Sequence, residues 1–298
     1  MSGCEYALSL RDVQKHYPGF ILGPLTIDVE KGSVVGLVGR NGAGKTTLMK
    51  LIFGAIHADA GEVELFGHGL GGLGKAEAAA SRQRTAFVSD LMAYPPNMKA
   101  TELERLYALF YPGFSSETYR GLCDRMGLEG GKKTVKELSR GMGMKLQLAC
   151  ALASGADLLV MDEPTAGLDP IVRDEVLDII RSWMEDGERS AMISSHITSD
   201  LERLADRVVL IDEGRPVLEA TADELAAKGI ARLRSSELDE VLASGLIAPD
   251  TARVMARELS FELLVDDRAA FEKAFPAFVC DKAGIDEILL LMVKGELR

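Results

Sequence analysis

Cysteine is scarce in this chain of 298 residues, which has four, and tryptophan occurs once. The cysteines lie far apart, at Cys4, Cys123, Cys150 and Cys280, and no two of them form a Cys-x-x-Cys pair. A disulfide framework or a thiol-based metal site is therefore not indicated, because both need paired or clustered cysteines. We expect reduced and mostly buried thiols, as is typical of a cytosolic protein.

Long apolar runs are also missing. The longest, such as residues 288–293, are far shorter than the roughly 18 residues that a membrane-spanning helix needs. No apolar stretch precedes Cys4, so neither a signal peptide nor a lipid attachment site is expected there. The sequence predicts a chain that does not cross a membrane by itself.

Basic residues are outnumbered, since 34 Lys and Arg stand against 46 Asp and Glu and the net charge is −12. A nucleic-acid surface needs clustered Lys and Arg to neutralise phosphates, so this balance argues against nucleic acid as a partner. The composition is otherwise ordinary for a soluble globular protein, with 47% hydrophobic and 27% charged residues. The length allows a full core and suggests between one and three domains.

One glycine-rich stretch carries the strongest motif. Residues 39–46 read Gly-Arg-Asn-Gly-Ala-Gly-Lys-Thr, the pattern of a phosphate-binding loop, between a predicted buried strand and a predicted helix. Backbone N–H groups at the N-terminus of such a helix favour a polyphosphate. Lys45 is expected to reach the β- and γ-phosphates, and the Thr46 hydroxyl to hold Mg²⁺. The residues of the loop predicted to bind nucleotide are Gly39, Arg40, Asn41, Gly42, Ala43, Gly44, Lys45, Thr46 and Thr47.

Two carboxylates follow the apolar run at residues 158–161, which is typical of a strand buried on both faces of a parallel sheet. Asp162 is then placed to hold Mg²⁺, usually through water, and Glu163 to polarise an attacking water. Such carboxylates often only cap the next helix, and without the phosphate loop we would favour that alternative. His196 ends another predicted strand, at the edge where open α/β sheets bind ligands, which favours a functional role over a structural one.

The rest of the chain predicts the surroundings of these motifs. Short strands are expected at 6–10, 20–22 and 25–29, and residues 90 to about 155 are expected to form a helical insertion in an α/β core. The pattern Gly-x-Gly-x-x-Gly at 67–72 is not interpreted as a dinucleotide fingerprint, because no βαβ unit surrounds it. From about residue 221 the chain is expected to form a small accessory unit, with domains at 1–220 and 221–298.

Taken in order, these motifs resemble those of the ATP-binding subunit of ATP-binding-cassette (ABC) transporters, over about residues 6–218, and above all of ABC-2-type export systems. The resemblance implies an α/β P-loop cassette with an N-terminal antiparallel β subdomain, an inserted helical subdomain and a small C-terminal α/β region. It implies that Tyr17 stacks on adenine, that His196 contacts the γ-phosphate, and that Asp169 lies in a loop at a dimer interface. The signature that binds the opposite subunit's γ-phosphate would be Ser139, Arg140, Gly141 and Met142.

Two departures from the family pattern stand out. Asp90 occupies the position of a glutamine at the hinge into the helical insertion, where it could approach Mg²⁺ through water but adds negative charge beside phosphates. Arg140 and Met142 replace a glycine and a glutamine of the signature. Arg140 either contacts a phosphate or points into solvent, and we slightly favour solvent.

The resemblance implies an Mg-dependent ATPase, with ATP and Mg²⁺ as cofactors and with Glu163, His196 and Lys45 as catalytic residues. This ATPase would power export by a separate polytopic membrane subunit. Residues 91–96 and 111–114 of the helical insertion are expected to offer that subunit an apolar groove. A second ATPase subunit, identical or different, would complete the assembly at the cytoplasmic face of the membrane. The alternatives are a soluble ABC-type ATPase that acts on nucleic acid or as an assembly factor, and a regulatory nucleotide switch.

Overall fold

The computed structural model describes residues 5–71, 75–92, 94–128, 133–247 and 252–297. Its strands are β1 (Tyr6–Tyr17), β2 (Phe20–Glu30), β3 (Val34–Gly39), β4 (Ala60–Leu65), β5 (His68–Gly69), β6 (Thr85–Val88), β7 (Leu158–Asp162), β8 (Ser190–Ser195), β9 (Arg207–Asp212), β10 (Arg215–Thr221), β11 (Gly229–Leu233), β12 (Arg253–Ala256), β13 (Phe261–Val265), β14 (Val279–Lys282) and β15 (Glu296–Leu297). Its helices are α1 (Lys45–Phe53), α2 (Lys75–Gln83), α3 (Ala100–Phe110), α4 (Ser116–Arg125), α5 (Arg140–Ala153), α6 (Pro170–Met184), α7 (Thr198–Leu204), α8 (Ala222–Ala227), α9 (Ser235–Ala243), α10 (Arg268–Ala274) and α11 (Ile285–Lys294).

The N-terminal strands form an antiparallel sheet of order β2-β1-β4-β5, which confirms the predicted β subdomain. The predicted strand boundaries were wrong, because β1 and β2 are each one long strand. Irregularities in the pairing between Leu10 and Val13 let β1 continue past Asp12, whose φ is +49°. A bulge of this kind absorbs an extra residue without ending the strand. Residues 68–69 pair with β4 and do not form a strand-to-helix turn, in agreement with the interpretation that 67–72 is not a dinucleotide-binding motif. Gly72 lies outside the described residues.

A six-stranded sheet of order β10-β9-β3-β8-β7-β6 forms the centre of the molecule. All its strands except β10 run parallel, and every residue of β3, β7 and β8 is buried. Continuous apolar runs suit such strands because helices cover both faces of the sheet. The register places Asp162 opposite Ser194, and Val38 opposite Ser195. The carboxyl ends of β3, β7 and β8 therefore meet at one edge.

Helices α3, α4 and α5 form the predicted insertion between β6 and β7. Ser115 and Ser139 cap α4 and α5, each accepting a hydrogen bond from the N–H three residues later. The apolar faces of these helices join the core that extends under the parallel sheet. The three cysteines among the described residues, Cys123, Cys150 and Cys280, are buried and unpaired, as predicted. Cys4 lies outside the described residues.

The last strands form an antiparallel sheet of order β14-β11-β13-β12-β15. We call this sheet, together with α9, α10 and α11, the C-terminal unit (residues 229–297). One face of this sheet has its own core around the fully buried Phe271. Ile285 and Ile288 of α11 belong instead to the core that reaches the parallel sheet, and Glu202 on α7 accepts a hydrogen bond from the N–H of Ile285 at 3.0 Å. The division into domains at residue 220 stays a prediction. Within the described residues, no helix is long and apolar enough to span a membrane.

Candidate active site

The loop after β3 has the backbone that a phosphate cradle requires. Gly44 has φ +109°, a value that disfavours any side chain. A Cβ atom on Gly39 would lie 2.4 Å from the carbonyl oxygen of Ile211 on β9, so only glycine fits there. Gly44 is also the N-cap of α1, and no side chain of the described residues caps this helix. Its N-terminal N–H groups therefore face the loop, where the helix dipole favours an anion.

Lys45 is buried, with 6% of its surface exposed, and lies at the mouth of this loop. Its Nζ donates a hydrogen bond to the carbonyl oxygen of Gly39 at 2.7 Å. The same atom lies 3.2 Å from Oε1 of Glu163, so the lysine joins the phosphate loop to the end of β7. A buried ammonium group needs such anionic partners, and an entering phosphate would provide a stronger one.

Ser194 lies beneath the two carboxylates that follow β7. Asp162 is buried, and its Oδ1 accepts a hydrogen bond from the Ser194 hydroxyl at 2.5 Å. The backbone N–H of Glu163 donates to the Ser194 hydroxyl and to its carbonyl oxygen, both at 3.1 Å. These bonds hold Glu163 at φ +52°, a left-handed conformation that costs a non-glycine residue about 1–3 kcal/mol. Strain of this kind is concentrated at functional sites.

His196 completes the group at the end of β8. Its Nδ1 lies 2.6 Å from Oε2 of Glu163, and its backbone N–H donates to the same oxygen at 3.1 Å. Glu163 therefore contacts Lys45 with one carboxylate oxygen and His196 with the other. The structure brings Lys45 together with two side chains that lie more than a hundred residues later in the sequence.

These groups open onto a cavity of about 440 Å³. Its lining residues are Phe20, Arg40, Asn41, Gly42, Gly44, Lys45, Thr46, Thr47, Asp90, Glu163, Ala166 and His196. A second cavity of about 780 Å³ shares four of them and adds Tyr17, Asp212, Glu213 and Arg215. Charged side chains line the first cavity, and the half-exposed ring of Tyr17 lines the second.

Tyr17 ends β1 at the second cavity and is 42% exposed. Asp59 holds this end of the strand by accepting hydrogen bonds from Lys15 Nζ and from the backbone N–H of His16, both at 2.7 Å. These hydrogen bonds lower the pKa of Asp59 to about 2, and the bond from Lys15 contributes more than the bond from His16. Asp59 is therefore charged at neutral pH and holds the end of the strand that carries Tyr17.

Comparison with known proteins places this site in a family. A family model described as ABC transporter matches residues 22–166. The chain is 35% identical over 225 residues to Nod factor export ATP-binding protein I of Burkholderia orbicola, across 73% of this chain and 72% of that protein. It is 36% identical over 229 residues to daunorubicin resistance ATP-binding protein DrrA3 of Streptomyces coeruleorubidus, across 75% and 71%. The chain belongs to the ABC transporter family, as an ATP-binding subunit.

Three further comparisons agree with this assignment. It is 34% identical to the lantibiotic transport ATP-binding protein SrtF of Streptococcus pyogenes, across 72% of this chain and 91% of that protein. A solved ATP-binding subunit of an ABC transporter superposes with a TM-score of 0.66 at 27% identity, covering 80% of this chain and 98% of that one. The dimeric cassette MJ0796, bound to ADP and Pi, superposes with a TM-score of 0.64 at 21% identity and shows the same fold. The predicted cassette fold and ATPase class are confirmed.

The ATP-binding subunit offers Mg²⁺ oxygen donors. Thr46 and Asp90 line the first cavity, and Asp162 is the last residue of β7. Hydroxyl and carboxylate oxygens with water are the ligands that Mg²⁺ prefers, and Mg²⁺ rarely occupies a cage made only of protein groups. The described residues accordingly hold no group of three or more His, Cys, Asp or Glu side chains able to bind a metal. The residues present fit a metal held jointly with nucleotide phosphates.

The signature residues lie apart from the cavity of their own chain. Neither Ser139–Met142 nor Asp169 belongs to the described residues that line it. Arg140 is exposed, and a Cβ atom on Gly167 would lie 3.0 Å from its guanidinium carbon, so its side chain lies over Gly167. Asp169 caps α6 by accepting hydrogen bonds from the N–H groups of Ile171 and Val172.

Several residues of the site escaped the sequence analysis. Phe20 and Ala166 line the cavity, and Ser194 supports both carboxylates. Ser194 carried one signal, since a strand residue two positions before His196 lies at the same sheet edge. Phe20 carried none, because the start of β2 reaches the cavity only through the tertiary fold. Ala166 lies in the same loop as Asp169, which the resemblance assigned to the dimer interface, so its place at the cavity of its own chain was not expected.

Proposed function

We propose that this ABC subunit hydrolyses Mg-ATP to power export by a separate membrane-spanning subunit. The observation that carries the proposal is that Glu163 contacts both Lys45, at 3.2 Å, and His196, at 2.6 Å, beside the phosphate loop. The names of the relatives, which concern Nod factor export, daunorubicin resistance and lantibiotic transport, support the export role. They do not favour the alternative of a soluble ATPase acting on nucleic acid.

The contacts suggest an order of events. Lys45 is held by Gly39 and Glu163, and the γ-phosphate of ATP competes with Glu163 for the ammonium group. Glu163 then keeps its bond to His196 and is free to accept a proton from an attacking water. Lys45 and His196 stabilise the charge on the transferring phosphoryl group. Thr46 and Asp162 would hold Mg²⁺, with Asp90 lining the same cavity as Thr46, and the ion would supply positive charge to the phosphates.

A second subunit completes the site in this proposal. Ser139 and Gly141 begin α5, and the N-terminus of a 14-residue helix attracts an anion. Because neither residue lines the cavity of its own chain, both are free to contact the nucleotide of a neighbouring subunit. Tyr17 would stack on adenine, and Asp169 would lie at the interface between the subunits. An identical chain or a different cassette fits this arrangement equally.

The membrane partner would bind the outer face of α3. Leu106, Leu109 and Phe110 are exposed there by 37%, 77% and 61%, beside a cavity of about 370 Å³ bounded by Tyr107, Tyr111 and the end of α2. We infer that this surface receives a helix of the membrane subunit at the cytoplasmic face. The groove predicted at 91–96 was partly wrong, because Tyr94 turns inward. Its hydroxyl lies 2.8 Å from that of Tyr107, and burial raises the pKa of Tyr94 well above its usual value.

Purification of the tagged chain from detergent-solubilised membranes tests the transport role. We expect a polytopic membrane protein to co-purify, and to be lost with Leu109→Glu/Phe110→Glu while ATP affinity is unchanged. Leu259→Glu is the matched control, because Leu259 is 94% exposed on the C-terminal unit. Recovery of nucleic acid or only soluble proteins would contradict the export role.

A further inference from the structure

A buried carboxylate outside both cavities has no role in the mechanism above. Asp200 lies on α7 with only 2% of its surface exposed, and it lines neither cavity at the phosphate loop. An ionised carboxylate is unfavourable in the interior unless it is both paired and hydrogen-bonded. Its partners therefore show what this charge is for.

Asp200 accepts hydrogen bonds from two directions. Its Oδ2 accepts from the Thr165 hydroxyl at 2.5 Å, and its Oδ1 accepts from Arg173 Nε at 2.6 Å. Thr165 is itself buried, and Arg173 also donates to the Ser199 hydroxyl at 2.7 Å. Charge-assisted bonds of this length are among the strongest that side chains form. One carboxylate thus joins three segments of the chain.

Two of these segments each carry a residue of the site. Thr165 follows Glu163 by two positions, Asp200 follows His196 by four, and Arg173 lies in the first turn of α6. The bond between Glu163 and His196 crosses between two loops, beyond the paired residues of β7 and β8. Strand pairing therefore does not fix the relative position of these loops by itself.

We propose that Asp200 is a positioning residue for ATP hydrolysis. By binding Thr165 and Arg173, it holds the helix that follows His196 against the segment that follows Glu163, and so keeps their 2.6 Å contact. The proposal rests on the proposed roles of Glu163 and His196. A displacement of about 1 Å at reacting groups can lower turnover by about 100-fold, so a tether of this kind has a measurable consequence.

The chain offers a matched control for a merely stabilising ion pair. Arg203 and Asp174 also join α7 to α6, at 2.6 Å, but both are exposed and neither contacts the loop after Glu163. Exposed pairs of this kind contribute little. Asp174→Asn therefore removes a link between the same two helices without touching the proposed tether.

The test compares Asp200→Asn, Thr165→Val and Asp174→Asn in the full chain. We expect Asp200→Asn to lower kcat by about 10- to 100-fold, with KM for ATP changed by less than about 2-fold, because Lys45 and its loop lie outside the tether. Thr165→Val, which keeps the size of the side chain, should lower kcat in the same way but less. Asp174→Asn should leave both constants unchanged.

Nitrogen NMR of the chain labelled in histidine supplies a second readout, since there are only four histidines. The ring signal of His196, assigned with His196→Gln, should move in Asp200→Asn and Thr165→Val, while the other three stay in place. Unchanged turnover with an unmoved signal in both variants overturns the proposal at Asp200. A moved signal without loss of turnover would show that Glu163 and His196 lack the catalytic roles on which the proposal rests, and it would overturn the proposal for that reason. If Asp200→Asn does not fold, Thr165→Val decides alone.

Discussion

The central sheet and the C-terminal unit are both built of strands and helices, but their strand directions differ. The parallel strands β3, β7 and β8 end at one edge, where Arg40, Glu163 and His196 follow them. Every pairing in the C-terminal unit is antiparallel, so successive strands end at opposite edges. Two of its ion pairs, Arg232–Asp281 and Arg257–Glu262, are partly exposed, and neither lines the cavities at the phosphate loop. Parallel strands concentrate functional groups, whereas this antiparallel sheet provides a packed core.

The largest effect should come from the parallel edge. Glu163→Gln keeps the size of the side chain but removes the base, so we expect ATP turnover to fall by about 10²–10⁴-fold. ATP affinity should be retained, because Lys45 and the phosphate loop remain. Phosphate release measures the first quantity and calorimetry the second. The exposed Glu188→Gln is the control, and wild-type turnover in Glu163→Gln would contradict the assignment.

A core substitution in the C-terminal unit should lower the stability of the protein and leave ATP turnover nearly unchanged. Phe271 is fully buried there, and Phe271→Ala should destabilise this unit by about 3–5 kcal/mol. Turnover per folded molecule should change little, since no residue of the cavities lies in this unit. Denaturant unfolding and phosphate release, measured side by side, test the separation. A loss of turnover as large as that of Glu163→Gln would mean that the two regions are not functionally distinct.

Thiol reactivity sharpens the comparison further. Burial raises the pKa of Cys150, in the helical insertion, to about 12 and that of Cys280, in the C-terminal unit, to about 11. The thiolate is the reactive form and both side chains are buried, so at pH 8 both should react slowly, and Cys150 more slowly than Cys280. Mass spectrometry of alkylated peptides from the native chain measures the ratio. Faster reaction of Cys150 would show that the insertion opens more readily than the C-terminal unit.

The smallest effect concerns the contact between the regions. Glu202→Ala removes the acceptor for the N–H of Ile285 at the start of α11, and loss of a helix cap costs roughly 1 kcal/mol. We expect a small fall in the free energy of unfolding and unchanged turnover. Glu240→Ala, at an exposed position of α9, should leave both unchanged. A fall in turnover with Glu202→Ala alone would show that the C-terminal unit acts on the active site through α7.

The same comparison explains what could be predicted from sequence. The phosphate loop, the Asp162-Glu163 pair and His196 were recognisable because each follows an apolar strand, and parallel strands bring such ends together. The left-handed backbone of Glu163 and its contact with Lys45 were not, because they depend on Ser194 and on the tertiary fold. The link from Asp200 to Thr165 joins positions 35 residues apart and has no local pattern. Likewise, the packing of α11 against α7 is set by the fold as a whole.

Titration of the chain with ATP in the presence of magnesium, followed by calorimetry, tests the central claim most directly. The account predicts saturable binding of one nucleotide per chain, greatly weakened in Lys45→Ala, whose ammonium group lies 2.7 Å from the carbonyl oxygen of Gly39 at the mouth of the loop. Lys50→Ala, at an exposed position of the same helix, should bind as the wild type does. Absence of binding, or equal affinity in Lys45→Ala, would contradict the account.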